Sequence, residues 1–103
     1  MNGILNKPVI YFVLLLCSFS VYANDLAEAR AAYDRNDEVK AFLIYERLAE
    51  QGNVIAQNNL AYMHYNGIGT PQDYQKAFVL YEKLALGGHV VAQKTLGAMY
   101  AQG

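Results

Sequence analysis

The feature that most constrains this chain is that it repeats itself. Leu48–Leu60 reads LAEQGNVIAQNNL, and thirty-six residues further on Leu84–Leu96 reads LALGGHVVAQKTL. Aligning Asp37–Gly67 with Asp73–Gly103 at that offset gives fifteen identities in 31 pairs. They include Asp37/Asp73, Lys40/Lys76, Ala41/Ala77, Tyr45/Tyr81, Leu48/Leu84, Gly52/Gly88, Ala56/Ala92, Gln57/Gln93, Leu60/Leu96 and Met63/Met99. A period of roughly 20–50 residues indicates stacked units, each burying its apolar face against the next. With 103 residues in all, those units belong to one small domain rather than to several.

Each unit reads as two helices. In the complete one, Val54–Asn66 is helix A, because Ala56, Leu60 and Met63 fall at i, i+4 and i+7. Gly67-Ile68-Gly69 ends it. Thr70-Pro71 is expected to open helix B, with Thr70 as a cap, Pro71 in the first turn and Asp73 facing the helix N-terminus. Ala77, Tyr81, Leu84 and Ala85 form its apolar stripe, and Gly87-Gly88 stops it. Small residues at Ala56, Ala77, Ala85 and Ala92 allow close approach of helices, while Tyr45, Tyr81, Leu60 and Leu96 fill the spaces beside them. An earlier, compressed unit precedes: helix A over Asp25–Tyr33, a turn at Asp34–Asp37 and helix B over Val39–Gln51. The units therefore run 24–53 (atypical), 54–89 (complete) and 90–103 (half), about two and a half in all.

The first 23 residues are different. Lys7 supplies a positive charge, an apolar run follows over residues 9–21, and Val21-Tyr22-Ala23 offers a cleavage site with small residues at its ends. This is the pattern of a secretory signal peptide, with cleavage expected after Ala23. The alternative is a retained anchor, but the run is short for a span of about 20 residues. Lipidation at Cys17 is a minor alternative, since bulky Leu16 precedes it and it lies inside the apolar run. Cys17 is the only cysteine, so the cleaved chain would hold none, which leaves no disulfide, thiol nucleophile or cysteine zinc site. The expected location is periplasmic or secreted, with membrane contact only through the segment before cleavage.

The formal net charge is −1, and no run of like charges exceeds two residues. Neither nucleic acid nor an anionic membrane surface is an expected partner. His64 and His89 stand without HExxH, a second His at i+4 or a carboxylate cluster, so packed or solvated side chains are expected rather than ligands. Glu46/Glu82 and Asp37/Asp73 recur at the repeat period, which suits capping and solvated faces better than a catalytic pair. Gly67-Ile68-Gly69 lacks the third glycine and the Lys-Ser/Thr of a phosphate loop, and no nucleophile elbow exists. No catalytic residue, metal or cofactor is expected.

The repeated residues resemble the Sel1-like repeat, a relative of the tetratricopeptide repeat. The resemblance rests on Ala56-Gln57, Leu60-Ala61-Tyr62-Met63-His64, Gly67-x-Gly69, Asp73-x-x-Lys76-Ala77, Tyr81 and Ala85-x-x-Gly88, restarting at Ala92-Gln93 and Leu96-Gly97-Ala98-Met99-Tyr100. It covers nearly all of Asp25–Gly103. Ala61 and His64 depart from the pattern, standing where the family has Gly and Tyr; both substitutions are tolerable and both are expected to loosen that turn. The resemblance implies an all-α, right-handed α/α solenoid of two-helix repeats and a scaffold or adaptor role in bacterial envelope assembly, secretion or host interaction. It also carries a second reading. Exported members that pair cysteines within each repeat are described as β-lactamase-like, but this chain lacks those cysteines. A third reading is a fragment of a longer repeat protein, since the helix B that would cover Leu96, Met99 and Tyr100 is missing; self-association through that uncapped half repeat is the alternative way to complete the core.

What remains is surface. The A helices of two-helix solenoids line the concave, usual binding side. On helix A the residues off the Ala56/Leu60/Met63 face are Asn58, Asn59, Tyr62 and Asn66, and their repeat counterparts include Lys94 and Thr95. Side-chain amides bond peptide backbone, and Tyr adds contact area at low entropic cost. These six residues are the expected contacts for a protein or peptide partner, with Asn59 and Tyr62 foremost.

Overall fold

A computed structural model of the chain describes residues 23–102. The apolar N-terminal segment with Cys17, on which the cleavage and lipidation expectations turn, lies outside the described residues. Five α-helices follow one another: α1 (23–34), α2 (Glu38–Glu50), α3 (Val54–Asn66), α4 (Tyr74–Leu86) and α5 (Val90–Gln102). No strand occurs among the described residues. Sequential helices pack on one another, α2 on α3, α3 on α4 and α4 on α5, which is the stacking of an all-α solenoid.

One kind of joint ends α1, α2 and α4. At the end of α2, Gly52 N–H donates to Ala49 O at 3.0 Å and Asn53 N–H to Leu48 O at 3.1 Å. At the end of α4 the same pair recurs thirty-six residues on: Gly88 to Ala85 at 3.0 Å and His89 to Leu84 at 3.0 Å. This is the Schellman arrangement, in which a residue with positive φ lets the chain fold back onto the last free carbonyls. Gly52 and Gly88 supply φ of 92° and 91°, and Asn36 does the same after α1 with 65°. The joint then opens the next helix. Asn53 Oδ1 accepts from Ala56 N–H at 2.9 Å, and at the equivalent place His89 Nδ1 accepts from Ala92 N–H at 3.1 Å. The glutamine of the Ala-Gln pair closes it: Gln57 Nε2 donates to Ala49 O and Gln93 Nε2 to Ala85 O, both at 3.1 Å. His89 is thus a cap rather than a bystander in a turn.

The opening of α4 differs from the expectation. Thr70 and Pro71 are outside the helix, which starts at Tyr74 with Asp73 as its cap, Oδ1 accepting from Lys76 N–H at 3.1 Å. The cause is the linker. Asp73 N–H donates to His64 O at 2.7 Å and Gln72 Nε2 to Tyr65 O at 2.9 Å, which hold residues 67–73 against the end of α3. Gly69 also sits tight on the first turn of α2: a Cβ there would fall 2.3 Å from Glu38 O. The linker is used up in that packing, so helical geometry begins late. The earlier unit shifts by single residues too, with α2 starting at Glu38 behind Asp37, whose side chain makes no cap bond.

Two small cores flank α3. Ala29 and Ala32 of α1, Phe42, Tyr45 and Leu48 of α2, and Ala56, Leu60 and Met63 of α3 make the first. Ala61 of α3, Ala77, Tyr81 and Leu84 of α4, and Ala92 of α5 make the second. One packed face was expected on α3; it has two, because it lies between α2 and α4. Ala61 belongs to the second face and His64 is buried beside Phe42 of the first; they are 0% and 6% exposed, so the turn they occupy is tightly packed rather than loosened. His64 meets Phe42 edge-on at 5.4 Å, and its Nδ1 is sealed from solvent with no hydrogen-bond partner. Ion pairs Arg47–Asp25 at 3.0 Å and Lys40–Glu28 at 3.1 Å tie α2 to α1.

Candidate partner-binding groove

Helices α1 and α3 are the A helices of successive units, and α2 runs behind them. Tyr45 reaches forward from α2 between them, held there by the small Ala41 and Ala49 on its own helix and by Ala29 and Ala32 of α1, all buried. The result is a groove with Tyr45 as its floor. One cleft of about 300 Å³ is lined by Arg30, Tyr33 and Asp34 from α1 and Asn59, Tyr62 and Met63 from α3. A second, of about 410 Å³, continues along the same helices past Leu26, Ala27 and Ile55. Arg30, Asp34, Tyr45 and Asn59 line both.

The groove is polar at its walls and aromatic at its base. Burial pushes the Tyr45 phenol above its usual 10; the Arg30 charge opposes that, and Asp34 and Tyr33 add to it. The hydroxyl therefore stays protonated and offers a donor at the floor. Asn59 Nδ2 donates one N–H to Ile55 O of its own helix at 3.0 Å, which orients the amide and leaves Oδ1 and the second N–H for a ligand. Tyr62 is half-exposed, with its ring open to the groove. Such a surface suits an extended backbone with a few side chains. Among the described residues no group of three or more His, Cys, Asp or Glu is placed to hold a metal ion.

The structure does not bring the six residues singled out from sequence into one place. Asn59 and Tyr62 line the groove. Asn58 is half-buried, and its Oδ1 is shut away without a hydrogen-bond partner, so it faces the packing towards the next unit. Asn66 is exposed at the end of α3, its Nδ2 bound to Tyr62 O at 3.0 Å. Lys94 and Thr95 are a unit further on, on α5, and Thr95 Oγ1 is bound to Val91 O at 2.9 Å. Sequence reasoning missed Arg30, Tyr33 and Asp34. Their signal is present in the sequence, since i, i+3 and i+4 share one helix face, but nothing local shows that this face of the first unit meets Asn59 and Tyr62.

The corresponding gap between α3 and α5 has Tyr81 beneath it, 4% exposed, its phenol raised to about 12 by burial and then by Tyr62 and Tyr65. Tyr65 hydroxyl donates to Gln102 Oε1 across this gap at 2.9 Å. Beside it, a cleft of about 540 Å³ lies among Tyr65, Tyr74, Phe78, Met99 and Tyr100.

Compared with known protein families, the chain matches the Sel1 repeat model over residues 26–53 and 54–89. No curated protein and no solved structure was found to match it.

Proposed function

The chain belongs to the Sel1 repeat family, whose repeats generally mediate protein–protein interaction and are typically non-catalytic scaffolds, and from that premise we propose an exported interaction module that takes a partner segment in the α1/α3 groove. The observation that carries the reading is the convergence of Asn59 and Tyr62 with Arg30, Tyr33 and Asp34 over the Tyr45 floor. Two adjacent units contribute opposite walls, so the groove exists only because the units stack. Export is supported by the sequence before Asn24, with its charge, apolar run and small-residue site.

The test has two parts. Cross-linking capture by the full chain from envelope extracts is compared with capture by Asn59→Ala/Tyr62→Ala. Loss of specific partners in the double variant is expected; equal capture of the same partners refutes the groove. Fractionation and N-terminal sequencing address export: a chain beginning at Asn24 outside the cytoplasm is expected, and an intact N-terminus in the cytoplasm overturns it.

A further inference from the structure

Four charged residues of α1 divide into two pairs. Asp25 and Glu28 face α2 and are taken up by Arg47 and Lys40. Arg30 and Asp34 face the groove, are exposed, and form no ion pair among the described residues. A basic residue four positions before an acidic one is the poorer order for a helical pair, so the two have little reason to satisfy each other. Four residues of helix separate them by about 6 Å along the axis. Alternate residues of an extended chain, which point to the same side, lie about 6.6–6.8 Å apart. The two spacings agree to within about 1 Å.

We propose that the groove selects an extended partner segment bearing an acidic and a basic side chain two residues apart, the acid meeting Arg30 and the base meeting Asp34. This rests on the groove being the partner site. Asn59, its amide oriented by the Nδ2 bond to Ile55 O, accepts a backbone N–H from the same segment at Oδ1 and fixes its position along the groove. The half-exposed Tyr62 ring packs on the residue between the charges or beside them. At the next gap, between α3 and α5, the α3 residues beside Tyr81 are Tyr62 and Tyr65, both uncharged, so α3 offers no such pair there. Charge selection therefore belongs to the first groove alone of the two.

The test is selection of a displayed library of random seven-residue peptides on four forms of the full chain: unaltered, R30Q/D34N, R30D/D34R, and Asn59→Ala/Tyr62→Ala. Arg30 and Asp34 are exposed, so helical content by circular dichroism should be the same in all their variants. The unaltered chain is expected to enrich an acid and a base at i and i+2 in one order. R30D/D34R should enrich the reverse order, and R30Q/D34N should lose the charge pattern. A selected peptide should bind roughly two- to five-fold more weakly for each charge neutralised, as exposed ion pairs do. Enrichment that survives in R30Q/D34N but fails in Asn59→Ala/Tyr62→Ala overturns the charge selection and leaves the groove standing. No enrichment by the unaltered chain over Asn59→Ala/Tyr62→Ala overturns both.

Discussion

Gly69 and Gly52 both have positive φ, +71° and +92°, yet alanine should cost very different amounts at the two positions. A left-handed conformation penalises an L-residue by about 1–2 kcal/mol. Alanine recovers about 0.4–1 kcal/mol of that by restricting the unfolded chain. Around Gly52 a new Cβ meets nothing within 4 Å, so the net loss there is about 1 kcal/mol. At Gly69 the same Cβ lands 2.3 Å from Glu38 O, 2.8 Å from Glu38 C and 3.0 Å from Phe42 Cβ. Those are backbone and Cβ atoms, which no rotamer change removes. The linker must lift off the first turn of α2, adding the roughly 1–3 kcal/mol typical of overpacking. Gly69→Ala is therefore expected to lose about 2–4 kcal/mol in all. Urea unfolding followed by circular dichroism reads the difference: with a slope of about 1 kcal/mol per molar urea, the Gly69→Ala midpoint should fall by about 2 M or more, twice the shift of Gly52→Ala. Equal midpoints for the two variants would refute the claim that the linker is locked onto α2.

Two further outcomes follow from side chains in the joints. Burial first, and the Lys76 ammonium second, hold the His64 imidazole below its ordinary 6.5, against smaller opposing effects of Asp73 and Glu46. Below pH 6.5 the unfolded chain thus binds more protons than the folded one; stability is full above that value and is lost as the pH falls towards the folded-state value. One group gives a slope of at most about 1.4 kcal/mol per pH unit. His64→Tyr, which installs the residue found at the repeat-equivalent Tyr100, should remove that slope; unfolding midpoints that fall just as steeply with acid in the variant would rule His64 out as the source. Gln57→Leu removes the buried bond to Ala49 O but leaves that oxygen its bond from Gly52, so a loss of about 0.5–1.5 kcal/mol is expected. Gln93→Leu breaks the same bond at an exposed site and should cost less; a larger drop in thermal midpoint for Gln93→Leu would contradict the link between burial and cost.

Helix content and the position of the joints were legible because both are local. Periodicity at Ala56, Leu60 and Met63 marked α3, and the glycines at 52, 67 and 88 fall where three helices end. The start of α4 was misread because a Thr-Pro pair is a good local opening signal, and the contacts that override it are tertiary: Asp73 to His64, Gln72 to Tyr65 and Gly69 on Glu38. The second packed face of α3 was hidden for a related reason. A helix packed on two sides carries apolar and small residues around most of its circumference, so no single stripe marks Ala61 and His64 as interior. Half of the groove was legible, since Asn59 and Tyr62 stand off the packed face. The other wall was not, because a residue's place opposite another helix depends on how units stack.

Comparison of α3 with α5 shows how far that dependence goes. Gln57, Leu60 and Met63 are buried, whereas the identical residues Gln93, Leu96 and Met99 are exposed or half-buried. The same residue at the same place in the repeat meets two fates because α3 has a helix B packed on each side, α2 and α4, and α5 packs against α4. The repeated sequence therefore encodes rules of contact, and the neighbouring unit decides what is interior. The same holds for the proposed binding surface. Asn59 and Tyr62 on α3 make a groove because α1 presents Arg30, Tyr33 and Asp34 across from them, whereas the α3 residues beside Tyr81 at the next gap, Tyr62 and Tyr65, carry no charge. Units that share about half their residues thus yield unlike grooves, and under the proposed function specificity comes from the pairing of units rather than from either one.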